Sequence, residues 1–174
     1  MLRRRARPYA AVMQPPERDT DPSIVALGES TEESPALRDA AAAAARAEAD
    51  EADALALRER LRDRPPDVLE ADETIRPHLS EGEMVHGLRR SAILKAPGGD
   101  RALGYGGTLY LTSRRLVHLG QVMLTVQLCD IVETSLAGER LLLSLREGEG
   151  FTVDVDRPRT FRTEIAAAMR ELRR

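Results

Sequence analysis

The stretch Gly107-Thr108-Leu109-Tyr110-Leu111-Thr112-Ser113-Arg114-Arg115-Leu116-Val117 decides the fold. Leu109 and Leu111 alternate with Thr108, Tyr110 and Thr112, the period of a strand that turns one face inward. Ser113-Arg114 interrupts the alternation as a turn, and Arg115-Leu116-Val117-His118-Leu119 runs back. This spacing predicts a β-hairpin.

The same rhythm continues on both sides. Upstream lie two short apolar pieces, 84–88 and 91–94, followed by the turn signal Lys95-Ala96-Pro97-Gly98-Gly99-Asp100-Arg101. Downstream, Leu124, Val126 and Leu128 alternate with Thr125 and Gln127. Residues 131–137 and 140–146 pair around Ala137-Gly138-Glu139, with Leu141, Leu143 and Leu145 pointing one way. Gly148-Glu149-Gly150 then leads into a strand with Phe151, Val153 and Val155 inward. Seven short strands punctuated by turns predict a closed or bent antiparallel sheet. After Pro158 the period changes: Phe161, Ile165, Met169 and Leu172 recur every three or four residues beside Ala168. That is an amphipathic helix whose stripe should cover one end of the sheet.

The N-terminal part differs in composition. Residues 1–80 carry 12 Arg against 17 Asp and Glu, a balance of −5, whereas residues 81–174 balance at +2. Neither value calls for nucleic acid, and 3% aromatic content with no Trp leaves no platform for stacking bases, so no nucleic-acid partner is expected. Residues 1–35 hold Pro8, Pro15, Pro16, Pro22 and Pro35 among acidic and hydroxyl residues, and too little apolar surface to offset ordering; this segment is expected to be disordered. Residues 36–64 form an Ala-rich helix, with Ser34 as N-cap, Pro35 at its first position and Pro65-Pro66 as its stop. Its stripe of Ala40, Ala44, Ala47, Ala54, Leu57 and Leu61 is thin, and Glu51 and Arg58 interrupt it. A free-standing, charge-supported helix is the preferred reading; weak self-association or docking through 36–63, a weak coiled coil, is the other. Residues 65–80 are a linker with a short helix over 67–79, which Pro77 kinks or ends.

Together these elements resemble a known family. The Gly82-Glu83 lead-in, the 107–117 phrase and the closing helix resemble the pleckstrin-homology-like (PH-like) superfold, closest to GRAM-type and bacterial PH-like domains. The pattern Gly-x-Leu-x-Leu-Thr-x-x-Arg-Leu, carried by Gly107, Leu109, Leu111, Thr112, Arg115 and Leu116, is its most specific part. The resemblance covers residues 78–174 and does not reach the leader. It implies a mainly-β fold with α: a bent seven-stranded antiparallel sheet or barrel over 81–174, capped by a C-terminal helix and preceded by the disordered and helical leader. It also implies a binding module without catalytic residues, for phosphoinositides, other anionic lipids, peptides or protein partners. The Thr-x-x-Arg of the hairpin is implied to hold the turn.

Candidate chemistry is sparse. Lipid-binding members place cations on the first strand and the loop after it, where this chain offers Arg89, Arg90, Lys95 and Arg101, with Asp100 opposing them. No catalytic residues, metal site or cofactor are expected. Gly104-Tyr105-Gly106-Gly107 lacks the spacing of either phosphate-binding glycine motif, and His78, His86 and His118 are isolated. Cys129, the sole cysteine, lies in an apolar run and is expected to be buried. Arg3, Arg4, Arg5 and Arg7 are followed by no apolar signal, which points to the cytoplasm, with a peripheral place at the inner membrane face left open. The expected function is a non-enzymatic module for protein interaction or scaffolding. The alternatives are recruitment to anionic lipid through the four cations and oligomerisation through the N-terminal helix.

Overall fold

Strand β1 (Val85–Lys95) serves two partners at once. Its first half pairs with β2 (Gly107–Thr112) and its last three residues pair with β7 (Phe151–Asp154). The bend between them falls at Ser91, whose φ of 57° is the left-handed region. The two apolar pieces read in the sequence are therefore one bent strand. The computed structural model describes residues 34–96, 106–148 and 150–174. The expectations for residues 1–33, and for the glycine-rich loop after Lys95, lie outside these residues.

The other strands are β3 (Arg115–Leu119), β4 (Leu124–Gln127), β5 (Ile131–Ala137) and β6 (Arg140–Leu145). All ladders are antiparallel, in the order β4-β3-β2-β1-β7-β6-β5. The β5–β6 hairpin closes with a two-residue turn in which Gly138, at φ 60°, takes a conformation that side chains disfavour. A 26-residue helix α1 (Pro35–Arg60) precedes the sheet and α2 (Pro158–Leu172) follows it. This is the expected architecture of a bent seven-stranded antiparallel sheet with a C-terminal helix.

The main core lies between the sheet and α2. Leu109, Leu111, Leu116, Leu141, Leu143 and Val153 meet Phe161, Ile165 and Ala168 of α2. Leu172 stays outside, at 43% exposure, so the helical stripe ends one turn early. Cys129 corrects its expectation: a short 3-10 turn (Leu128–Asp130) buries Leu128 and leaves the thiol exposed.

Tyr110 and Thr112, on the opposite face of β2, are buried as well. The cover is the segment between α1 and β1. It forms no 67–79 helix; Leu69 bridges to Val85, and a 3-10 turn spans Arg76–His78. Asp72 explains the difference, because its Oδ1 accepts the amides of Thr74 and Ile75, offering the backbone an alternative to helical bonds. Its Oδ2 accepts from the Tyr110 hydroxyl at 2.8 Å. Burial, together with that carboxylate, pushes the Tyr110 hydroxyl up to about 12. Ile75, Val85, Tyr110 and Val117 thus form a second, smaller core.

Glu83 locks this cover to the β2–β3 hairpin. Its Oε1 accepts from Thr112 Oγ1 at 2.6 Å and Arg115 Nε at 2.9 Å, and its Oε2 from Arg115 Nη2 at 2.8 Å. Thr112 Oγ1 in turn accepts the amides of Arg114 and Arg115. The Thr-x-x-Arg phrase is a turn clamp. Burial alone would raise the Glu83 carboxyl, but the Arg115 and Thr112 bonds override it and lower the group to about 2.

Helix α1 departs from the preferred free-standing reading. Residues 35–46 are exposed throughout, but the C-terminal half lies along α2, burying Asp50, Ala54 and Leu61. Residue 157, which precedes α2, is an arginine with φ 55° and caps nothing with its side chain. Asp50 does that work from the other helix: its Oδ2 accepts the Arg159 amide at 2.8 Å, and its Oδ1 accepts the Thr160 amide at 3.0 Å and hydroxyl at 2.6 Å.

Two stability predictions follow from these clamps. The Glu83 carboxyl is depressed, so its contribution is complete above about 4.5 and is lost as pH falls toward 2. Glu83→Gln should cost roughly 3 kcal/mol in urea unfolding at pH 7 and should flatten the acid limb of the pH–stability curve. Asp50→Ala should cost about 2 kcal/mol by leaving two amides and a hydroxyl without acceptors. Hydrogen exchange over residues 47–61 should then accelerate, and Asp50→Asn, which keeps an acceptor, should show a smaller change.

Candidate binding surface

Strand alternation sends Arg89 and Arg90 to opposite faces of β1. Arg89 turns toward α2, where its Nη2 lies 3.0 and 2.9 Å from the two carboxylate oxygens of Glu164. Its Nη1 donates to the Leu88 carbonyl at 2.9 Å, and its guanidinium stacks 4.7 Å from the Phe161 ring centroid. The side chain is only 14% exposed. Gly87 makes room for the pair, since a Cβ there would stand 2.8 Å from Glu164 Oε2. Burial pushes the Glu164 carboxyl up, and Arg89 only partly offsets this.

Lys95 is also engaged: its Nζ lies 2.5 Å from Asp154 Oδ2, whose other oxygen lies 3.2 Å from Arg140 Nε. Arg90 is exposed and makes no hydrogen bond or ion pair among the described residues, although its charge helps to lower Asp72. Arg101 lies outside the described residues. Arg89 and Lys95 are therefore brought to separate carboxylates and not to one shared patch, and Arg90 looks the other way.

A different set of cations converges elsewhere. Between α1, α2 and β5 lies a groove of about 180 Å³ lined by Arg58, Leu61, Thr134, Arg162, Thr163, Ala166, Ala167 and Arg170. Among the described residues no carboxylate lines it. Arg170 reaches across α1 to donate to the Leu61 carbonyl. Arg58 and Arg162 have no hydrogen-bond or ion-pair partner among the described residues, and Arg162 is half-buried. None of these three arginines is among the candidate cations read from the sequence. One signal was available: Arg162, Ala166 and Arg170 recur every four residues with no acidic residue between them on that face.

The groove borders a sheet edge. β5 is the last strand in the order and, among the described residues, pairs only with β6. It is seven residues long, contains no Pro or Lys, and exposes Val132 at 60%. Its register irregularity is confined to the Ile131–Glu133 start. β4, at the other edge, has four residues.

Among the described residues no group of three or more His, Cys, Asp or Glu side chains could hold a metal, and no helix is long and apolar enough to cross a membrane. His118 is a core histidine, 2% exposed, with Nε2 3.1 Å from the Ala92 carbonyl. His86 Nδ1 meets the Asp67 carbonyl.

No protein-family model matches the chain, and no curated protein matches its sequence. Among solved structures it is similar to the Vps36 N-terminal PH domain, at 20% identity and a TM-score of 0.47, over 55% of this chain and 86% of that one. It is also similar to the C-terminal domain of an unknown protein from Leishmania infantum, at 12% identity and a TM-score of 0.39, over 57% and 91% of the two chains.

The two neighbouring arginines should respond differently to truncation. Arg89→Ala should cost about 3 kcal/mol at pH 7, because Glu164 is left buried without its counterion. Since that carboxyl is already raised, the deficit should shrink as acidification protonates it. Arg90→Ala should stay within about 0.5 kcal/mol. Urea unfolding at several pH values checks both.

Proposed function

We propose that this domain is a non-enzymatic binding module for a protein partner, which it takes as an extended segment added to the free edge of β5. The observation that carries this reading is the edge itself. An exposed strand edge presents a row of unpaired amides and carbonyls, and proteins usually blunt such edges with Pro, Lys, bulges, short length or a cover. β5 has little of this protection beyond Glu133 and an irregular first turn, whereas β4 is short. An edge left open beside a groove suits recognition by strand addition, in which the backbone supplies affinity and the neighbouring groove selects side chains.

The charge arrangement along β1 gives little support to an anionic-lipid site on that strand. Of Arg89, Arg90, Lys95 and Arg101, two spend their charge on Glu164 and Asp154. Attraction to a lipid surface needs several uncompensated cations on one face. Oligomerisation through α1 has less support, because Ala54 and Leu61 of its apolar stripe pack within the chain.

The test is selection of random displayed peptides on the full-length protein, followed by amide NMR mapping of a selected peptide. Amides of residues 131–137 should shift and gain exchange protection, and Val132→Lys should weaken binding about tenfold by charging the edge. Peptides that map to the exposed face of α1, or liposome binding that depends on Arg90, would overturn the reading.

A further inference from the structure

We infer that the chain pairs with a second copy of itself through β4, at the end of the sheet opposite to β5. The surface is separate from the β5 edge, and the inference does not rest on the strand-addition reading.

The sequence around β4 departs from the rest of the chain. Charged residues make up 32% of the whole, yet residues 116–129 contain no Asp, Glu, Lys or Arg, the longest such run in the chain. The run covers β3 after Arg115, β4 and the turn between them. That turn carries Val122 and Met123 side by side, at 56% and 54% exposure. β4 itself holds neither Pro nor Lys, the residues that usually blunt an edge.

The backbone sets the register. The Leu128 amide donates to the Arg114 carbonyl at 2.9 Å, so alternation turns the amides and carbonyls of Val126 and Leu124 toward β3 as well. Those of Met123, Thr125 and Gln127 face the open edge, where β4 has no further ladder partner among the described residues. A two-fold axis at Thr125 sets this residue against its own copy, and Met123 of one copy against Gln127 of the other. All three positions then exchange backbone hydrogen bonds, about six in total. On the core face, half-buried Leu124 and Val126 meet across the axis and carry the core from one copy into the next. Four residues hold a lone peptide weakly, but the axis doubles every contact.

Charge decides why a copy takes β4 and not β5. A symmetric β5 pair brings two Glu133 side chains, and the arginines of two α1–α2–β5 grooves, near one another. Across β4 no like charges meet. The two edges stand at opposite ends of the strand order, so the dimer leaves both β5 edges free.

The experiment uses the full-length protein. Light scattering should show the mass rising toward twice that of one chain as concentration approaches about 200 μM. Thr125→Lys should weaken this association at least tenfold while leaving thermal unfolding of the monomer unchanged, because the side chain is exposed. Gln127→Lys serves if that variant unfolds. The axis is tested by trapping, since the Cα atoms of a hydrogen-bonded antiparallel pair lie about 5.5 Å apart, within reach of a disulfide. With Cys129→Ser as background, Thr125→Cys should form a disulfide between chains at least tenfold faster than Val132→Cys on β5. A protein that stays monomeric at that concentration overturns the inference, as does a dimer that both lysine variants leave intact. Faster trapping through Val132→Cys assigns self-pairing to β5 and overturns it too. So does a monomer that binds phosphatidylserine vesicles and loses that binding in Met123→Lys, because the apolar turn then serves a membrane.

Discussion

A carboxylate on one helix completes the first turn of another, and the arrangement of the C-terminal half depends on it. Helix α2 begins after a left-handed arginine that supplies no cap, so its first amides need an acceptor from elsewhere. Asp50 provides it while buried at 3% exposure, and Thr160 adds a hydroxyl bond to the same oxygen. The two helices then run in the same direction, with Leu61 meeting Arg170 further along, while Arg157, just before α2, reaches Asp53. Because that contact fixes α1 against α2, it also shapes the groove that α1 shares with β5.

The sheet obeys a second constraint. One strand has to pair on both halves, so it bends, and the bend at Ser91 curls the two halves around Phe161 and Ile165. The outer face of the β1–β2–β3 half would leave Tyr110 and Val117 exposed if nothing lay over it. Residues 65–84 cover them, fastened by Asp72 at Tyr110 and by Glu83 at Arg115. What reads as a linker in composition is thus a structural layer.

These two layers redistribute charge. Arg89 and Lys95, which look like ligand groups on a cationic strand, spend their charge on Glu164 and Asp154. Arg58, Arg162 and Arg170, which look like ordinary helix-surface residues, converge where no acid answers them. Among the described residues, three arginines without an acidic partner therefore line the groove beside β5, whereas of the β1 cations only Arg90 is left unpaired. That places these arginines next to the sheet edge at which β5 has no further ladder partner among the described residues.

The local chemistry of this chain was legible in its order of residues. Alternation at Leu109/Leu111 and Leu141/Leu143, the Gly138 turn and the 3–4 spacing of Phe161, Ile165 and Ala168 each depend on neighbours a few residues away, and each holds in the structure. Pro35 marked the start of α1 for the same reason, whereas the helix ends at Arg60, short of the expected stop at Pro65-Pro66. Burial of Cys129 was misjudged because an apolar run does not reveal a 3-10 corner that turns one of its members outward. The fate of Arg89 could not be read locally, since its partner Glu164 is 75 positions away and both residues have ordinary neighbours. Nor could the docking of α1, whose apolar stripe is thin and whose decisive contact is an acid, Asp50, meeting amides some 110 positions away. Short-range periodicity set the elements, whereas the pairing of charges and the closure of the groove came only from bringing distant segments together. Ion pairs and caps depend on distance in space, and a linear sequence does not carry that distance.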